Sequence, residues 1–252
     1  MKLTPLLVLS LALSSVLAPA ALLDFLKPKS ADTNASSPLL AGLSQDQVTD
    51  ALKQALAKGV STAITNLGRT NGFLANPKVK IPMPEKLATV EKSLRALKQD
   101  KYADEFVATM NHAAEAAVPE ALPIFTDALK AMTIDDAKKL ASGTNDSATQ
   151  FFKTKGEKQI QEKMAPVIKE ATEKAGVTAS YKKLVDQANA SSVGSFFSKL
   201  NYDPSSLDVD KYVTQKASDG LFKMIAEEEK RIRENPAART TELLQKVFGP
   251  PK

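Results

Sequence analysis

The sequence predicts an all-α protein, an irregular single-domain bundle of about nine or ten helices. Three observations carry that expectation. Apolar residues recur at three- and four-residue steps along most of the chain. Residues that start helices stand before these stretches, and residues that stop them stand behind. Strand signals are nearly absent: Val79-Lys80-Ile81 alternates, but it is short and boxed in by prolines. No repeat of fixed period occurs, which argues against a solenoid.

The elements follow in order. Ser44-Gln45-Asp46-Gln47 reads as a capping box, with Gln47 reaching back to Ser44. Val48, Leu52, Leu56, Val60, Ile64 and Leu67 then mark an amphipathic helix that Gly68 stops. Residues 70–84 carry three prolines and a glycine and are expected to form an extended loop. Leu87, Val90, Leu94 and Leu97 mark a second helix. A third runs from about Lys101 to Ala117, where alanines permit close approach, until Pro119 breaks or kinks it. Ile124, Phe125, Leu129 and Met132 mark a fourth. Thr133-Ile134-Asp135-Asp136 caps a short fifth that Gly143 ends. Asp146 or Ser147 opens a sixth, with Phe151 and Phe152. Ile160 to Ala175 reads as a separate seventh, closed by Gly176, and Tyr181 to Ala188 as an eighth. After a looser, serine-rich stretch over 189–207, Asp208 caps the longest helix, Val209 to Glu234. Asn235-Pro236 ends it, and a last helix carries Leu243, Leu244, Val247 and Phe248.

The amino terminus predicts export. Lys2, the uncharged Leu3–Leu17 run and Ala18-Pro19-Ala20 form the three-part pattern of a signal peptide over 1–20, with cleavage after Ala20. The run is too short for a membrane span, which needs about 20 apolar residues. Residues 21–42 read as a flexible tether, 43–248 as the helical domain and 249–252 as a disordered tail. The expected location is the periplasm, and the mature chain is expected to be soluble rather than membrane-spanning. The net charge of +5 is mildly basic. Nucleic-acid binders carry a stronger and more clustered excess, so no nucleic acid is expected as a partner.

The chemistry-bearing residues exclude more than they suggest. The chain has no cysteine and one histidine, His112. Thiolate chemistry, disulfides and lipid attachment to an amino-terminal cysteine are therefore excluded. No Gly-x-Ser-x-Gly elbow and no glycine-rich phosphate loop occurs. His112 and Glu115 could face one ion from one helix, but a di-iron bundle needs Glu-x-x-His pairs from two helices. No metal and no cofactor is expected.

What remains is a set of polar residues in or beside apolar rows. Glu228 falls in the row of Val213, Ala217, Leu221, Met224 and Ile232, where a carboxylate is costly unless paired or protonated. Arg231, Arg233 and Arg239 are its candidate partners. Glu229–Arg233 reads as an exposed pair worth about 0.3–0.5 kcal/mol. Asn111 shares a row with Val107, Ala114 and Val118, so its amide points inward, where buried amides usually satisfy helix ends or loop carbonyls. Thr149 and Gln150 stand in the first turn of their helix. Gly220, inside the longest helix, costs about 1 kcal/mol relative to alanine, and close packing is the expected return. The candidate cluster is Asn111, Glu115, Asp135, Asp136, Thr149, Gln150, Glu228, Arg233, Asn235 and Arg239.

Several segments resemble the family known as domain of unknown function 4197, found in envelope proteins of Gram-negative bacteria. They include Gly72-Phe73-Leu74, Ile81-Pro82-Met83-Pro84, Asn111 with Ala113-Ala114, Met132 to Ala137, Ala148-Thr149-Gln150-Phe151-Phe152, Asp219-Gly220-Leu221-Phe222 and Glu229 through Phe248. The most specific piece is Ile232 to Thr241. The resemblance spans about residues 42–248 and implies a helical, signal-bearing protein with no assigned activity. In the family pattern an arginine often stands where this chain has His112, which makes His112 a poor base or ligand. Two functions stay open. One is a non-enzymatic module that binds an envelope protein or a lipid-like apolar ligand. The other is an enzyme with a carboxylate and amide site and no metal or thiol.

Overall fold

The amphipathic stretches fold as helices, in the order their spacing predicts. A computed structural model describes residues 44–174, 176–190 and 207–235. Within them stand eight α-helices: α1 (Gln45–Gly68), α2 (Ala88–Ala96), α3 (Asp100–Ala117), α4 (Leu122–Lys130), α5 (Ile134–Ala141), α6 (Ser147–Lys174), α7 (Val177–Ala190) and α8 (Val209–Glu234). Single 3-10 turns, Glu85–Leu87 and Val118–Ala121, lead into α2 and α4. No strand is present among the described residues. The segments expected as signal peptide, tether, last helix and tail, and the stretch over 191–206, all lie outside the described residues.

The caps act as the residue types require. The Ser44 hydroxyl accepts from the Gln47 N–H at 3.2 Å, and the Gln47 side chain accepts from the Ser44 N–H at 2.9 Å. Asp208 accepts from the Lys211 N–H at 2.9 Å. Thr133 and Asp136 form a second reciprocal box at the start of α5. The Asp136 carboxyl is held below its ordinary value, first by the Thr133 hydroxyl and then by the Thr133 backbone N–H. A carboxyl depressed in the folded state stabilises above its unfolded value and loses that contribution as pH falls through the folded value. Thr133→Ala is therefore expected to cost about 1 kcal/mol at neutral pH. The gap from wild type should shrink below about pH 4, as denaturant titrations at two pH values would show.

One boundary differs from expectation, and the glycine expected to stop α1 does so for another reason. The sixth and seventh stretches are one continuous helix, α6, which runs through Gly156 and Pro166. Gly156 is buried, and a Cβ there would lie 3.2 Å from the Ile124 side chain. It thus marks where α4 comes close. Pro166 inside a helix costs about 3 kcal/mol, but Ile160, Met164 and Ile168 are fully buried on either side of it and hold α6 in place. Gly68 is the last residue of α1 and is followed by an extended Arg69. A Cβ on Gly68 would meet the Pro119 ring at 3.2 Å, so its smallness serves packing. The left-handed residue of this region is Asn71, at φ 62°.

Helix α8 packs against α6 and α1, and α3 packs against α6 and α7. Helices α4 and α5 lean on α1. At the centre Phe125 of α4 meets Phe152 of α6 and Phe222 of α8 edge-on, with ring centroids 5.1 and 5.9 Å apart. Because α8 has neighbours on two sides, it buries two rows. One is Val213, Ala217 and Leu221; the other is Ser218, Phe222, Ile225 and Glu229.

Candidate functional site

Three polar joints lie inside the apolar core, and two of them are built on α3. Glu115, only 4% exposed, faces the loop that follows α1. Its Oε1 accepts from the Phe73 N–H at 3.0 Å and the Leu74 N–H at 3.1 Å. Its Oε2 accepts from the Asn71 N–H at 3.0 Å and lies 2.9 Å from His112 Nδ1. The left-handed Asn71 and the tight turn at Gly72 aim those amides at one point; a Cβ on Gly72 would sit 2.3 Å from the Leu67 carbonyl oxygen. The His112 side chain is 43% exposed, so it covers the carboxylate from outside.

One turn back on α3, Asn111 is fully buried. Its Oδ1 accepts from the Ile81 N–H at 2.8 Å, and its Nδ2 donates to the Ile81 carbonyl at 2.9 Å and the Val107 carbonyl at 2.7 Å. The amide therefore pairs with Ile81 as a neighbouring strand would. That explains why the alternating Val79-Lys80-Ile81 needs no sheet.

The third joint corrects the sequence-based expectation. Glu228 is inward, its side chain 12% exposed, and pairs with Arg231 of its own helix at 2.6 Å. The more deeply buried carboxylate is its neighbour, Glu229, and the Glu229–Arg233 pair, expected at the surface, is an interior one, with side chains 4% and 9% exposed. Glu229 accepts from the Ala148 N–H, the Thr149 N–H and the Thr149 hydroxyl, each at 2.9 Å. Arg233 binds it through Nε at 3.1 Å and Nη2 at 2.9 Å, and also donates to the Leu140 carbonyl at 2.8 Å. A carboxylate from α8 thus caps the amino end of α6, where free amides and the helix dipole favour negative charge. Its arginine caps the carboxy end of α5. Counting positions along α8 selects the row facing α1; it does not reveal that α6 presents its first turn to the adjacent row.

Segments that carry the family resemblance lie at each of these joints, and at two of them both partners do. Gly72-Phe73-Leu74 lies on Glu115, Ile81 lies on Asn111, and Ala148-Thr149 lies on Glu229. A family model described as Protein of unknown function (DUF4197) matches residues 42–249. The chain belongs to this family. Comparison with curated proteins and with solved structures returned no match.

The remaining candidates of this DUF4197 chain stand apart. Asp135 is exposed, and Asp136 is used in its capping box. Gln150 is exposed and bonds Asp146 at 3.3 Å. Asn235 is the C-cap of α8, its N–H bonded to the Arg231 carbonyl. Arg239 lies outside the described residues. The structure therefore brings Asn111 and Glu115 to one loop, and Thr149 and Arg233 to one carboxylate. It leaves Asp136, Gln150 and Glu228 with partners of their own and Asp135 on the exposed face of α5. Among the described residues no three histidine, aspartate or glutamate side chains gather in a way that would hold a metal.

Gly220 belongs to the same construction. A Cβ there would lie 2.7 Å from the ring of Phe73 and 3.3 Å from Val79. Phe73 is fully buried and has no room to yield. Gly220→Ala gains about 1 kcal/mol in helix propensity and loses about 1–3 kcal/mol to overpacking. A net loss of about 1 kcal/mol is expected in urea unfolding, and a gain in stability would show that the loop moves freely.

Proposed function

We propose that this protein is a non-enzymatic binding module of the bacterial cell envelope, and that its partner is a protein. One observation carries the reading. The groups best suited to acid–base or amide chemistry, Asn111, Glu115 and Glu229, have their hydrogen-bonding capacity taken up by backbone amides and carbonyls of the fold. A general base must reach a substrate proton, and these reach loops and helix ends instead.

The partner surface is the open groove between α6 and α8, about 560 Å³ in volume. Ala165 and Pro166 give it an apolar part, flanked by Glu162, Lys169, Asp210 and Lys211. Mixed charge around a small apolar centre is the make-up of a protein interface rim. Pro166 has no N–H, so the Glu162 carbonyl lacks its usual donor within the helix and is available to a partner. A lipid carrier would need an enclosing apolar cavity, and this groove is open and edged by ions. No helix among the described residues is long and apolar enough to cross a membrane.

A photo-crosslinking residue placed at Gln161 or Gln215, both in the groove, should give one discrete protein adduct in cells. The same residue at the exposed Asp135 should not, and Lys169→Glu should remove the adduct. Adducts of equal yield from all three sites, or none from the groove, would end the reading. Export is part of the proposal, supported by Lys2 through Ala20. The protein recovered from a periplasmic extract should begin at Ala21, and an intact Met1 there would refute it.

A further inference from the structure

A second concave surface lies where residues 78–82 cross α8. It encloses about 200 Å³, and its lining includes Lys78, Lys80, Lys216 and Lys223 with Asp219 and Gly220. Its charge follows from two periodicities. Val79 and Ile81 are buried, so the alternating Lys78 and Lys80 face outward. Lys216 and Lys223 stand two turns apart on α8 and share a face. Gly220 brings the two rows together, because its bare backbone lets Phe73 and Val79 close in.

The ammonium groups are only partly neutralised. Lys78 pairs with Glu227 at 2.8 Å. Lys223 donates to the Lys78 carbonyl at 2.9 Å, an acceptor without formal charge. Lys216 lies 5.8 Å from the centre of the Tyr212 ring. Asp219, the one carboxylate of the lining, accepts from Gln215 at 3.3 Å. Among the described residues no carboxylate forms an ion pair with Lys80, Lys216 or Lys223. Like charges gathered around a concave surface repel one another and raise the local concentration of anions. Lysine serves as a point-charge binder of phosphate. The volume is below the roughly 300–1,000 Å³ of a site for a drug-sized ligand, so it suits one tetrahedral group with the rest of the molecule outside.

We propose that this cleft binds a phosphate-type oxyanion, either free or as the headgroup phosphate of an anionic lipid. The site is separate from the α6/α8 groove and stands or falls independently of it. Two probes distinguish the sources: inorganic phosphate, titrated against chloride at equal ionic strength with the Lys80 and Gly220 amide resonances as readout, and sedimentation with vesicles of phosphatidylglycerol in phosphatidylcholine, against phosphatidylcholine alone. Lys80→Glu with Lys216→Glu should weaken binding by at least about tenfold, given about 1 kcal/mol for each lysine near an anionic surface. The matched reversal Lys130→Glu with Lys139→Glu on α4 and α5 should change it less than about twofold. Lys80→Gln with Lys216→Gln carries the test if the reversed variant does not fold. Binding of phosphate alone assigns the free ion, and binding of vesicles assigns the headgroup. Binding of neither probe, or an equal loss in the matched control, overturns the proposal.

Discussion

Replacing Glu229 with alanine is expected to lower stability by about 3–5 kcal/mol, the cost of breaking a buried ion pair by removing one partner. The variant loses the cap on the Ala148 and Thr149 amides and leaves Arg233 without the carboxylate it binds through two nitrogens. In a domain of 150–250 residues, where each kcal/mol moves the midpoint by about 2–4 °C, that is a fall of roughly 6–20 °C in Tm. Glu228→Ala, one residue away, is the control. Its carboxylate is 12% exposed, but its partner Arg231 is 50% exposed, so a loss of only about 1 kcal/mol is expected. Thermal unfolding of the two variants side by side decides the matter. Equal losses would mean that the carboxylate at 229 does not hold α8, α6 and α5 together.

Glu115→Ala should cost about 3 kcal/mol. It orphans three backbone donors, at Asn71, Phe73 and Leu74, each worth about 1–3 kcal/mol when buried without an acceptor. Those at Asn71 and Leu74 are only partly buried and recover some of the loss from water. The damage should be local. Hydrogen exchange at Phe73 and Leu74 should quicken, while amides in the middle of α6 keep their protection relative to global unfolding. His112→Ala removes only the outer partner of the same carboxylate and should cost under about 1 kcal/mol. A large effect at His112 with a small one at Glu115 would assign the pair to function rather than to folding.

Both predictions concern residues whose importance was unevenly visible beforehand. Asn111 stands in a clear apolar row of α3, so its inward amide was legible; its partner, Ile81, was not, because the two lie thirty positions apart. Sequence spacing pairs Glu115 with His112 and gives no sign of the loop it holds. The turn it anchors has a local signal, Asn71-Gly72, but nothing in that dipeptide names an acceptor 44 residues away. Glu229 reads as exposed in the sequence because its i,i+4 arginine is a sufficient partner on a helix surface. The three joints share one feature: a backbone group in a loop or at a helix end is satisfied by a side chain from a distant helix. Local periodicity describes the helix and is silent about the loop.

The chain by itself determined the helical class, the capped starts of α1, α5 and α8, and the inward faces of most helices. These depend on contacts within four residues, which sequence spacing records directly. Only the tertiary structure decided that Gly156 and Pro166 lie within one long α6, that Gly68 is small for the sake of a neighbour and the neighbour at Gly220 is Phe73, and that Glu229 with Arg233 forms an interior ion pair. Each of those depends on what a second element presents across the contact, such as a proline ring at Gly68, a phenylalanine ring at Gly220 and the first turn of α6 at Glu229. A residue's own periodicity cannot encode the group that meets it, and the free energy of a buried charge is set by that group.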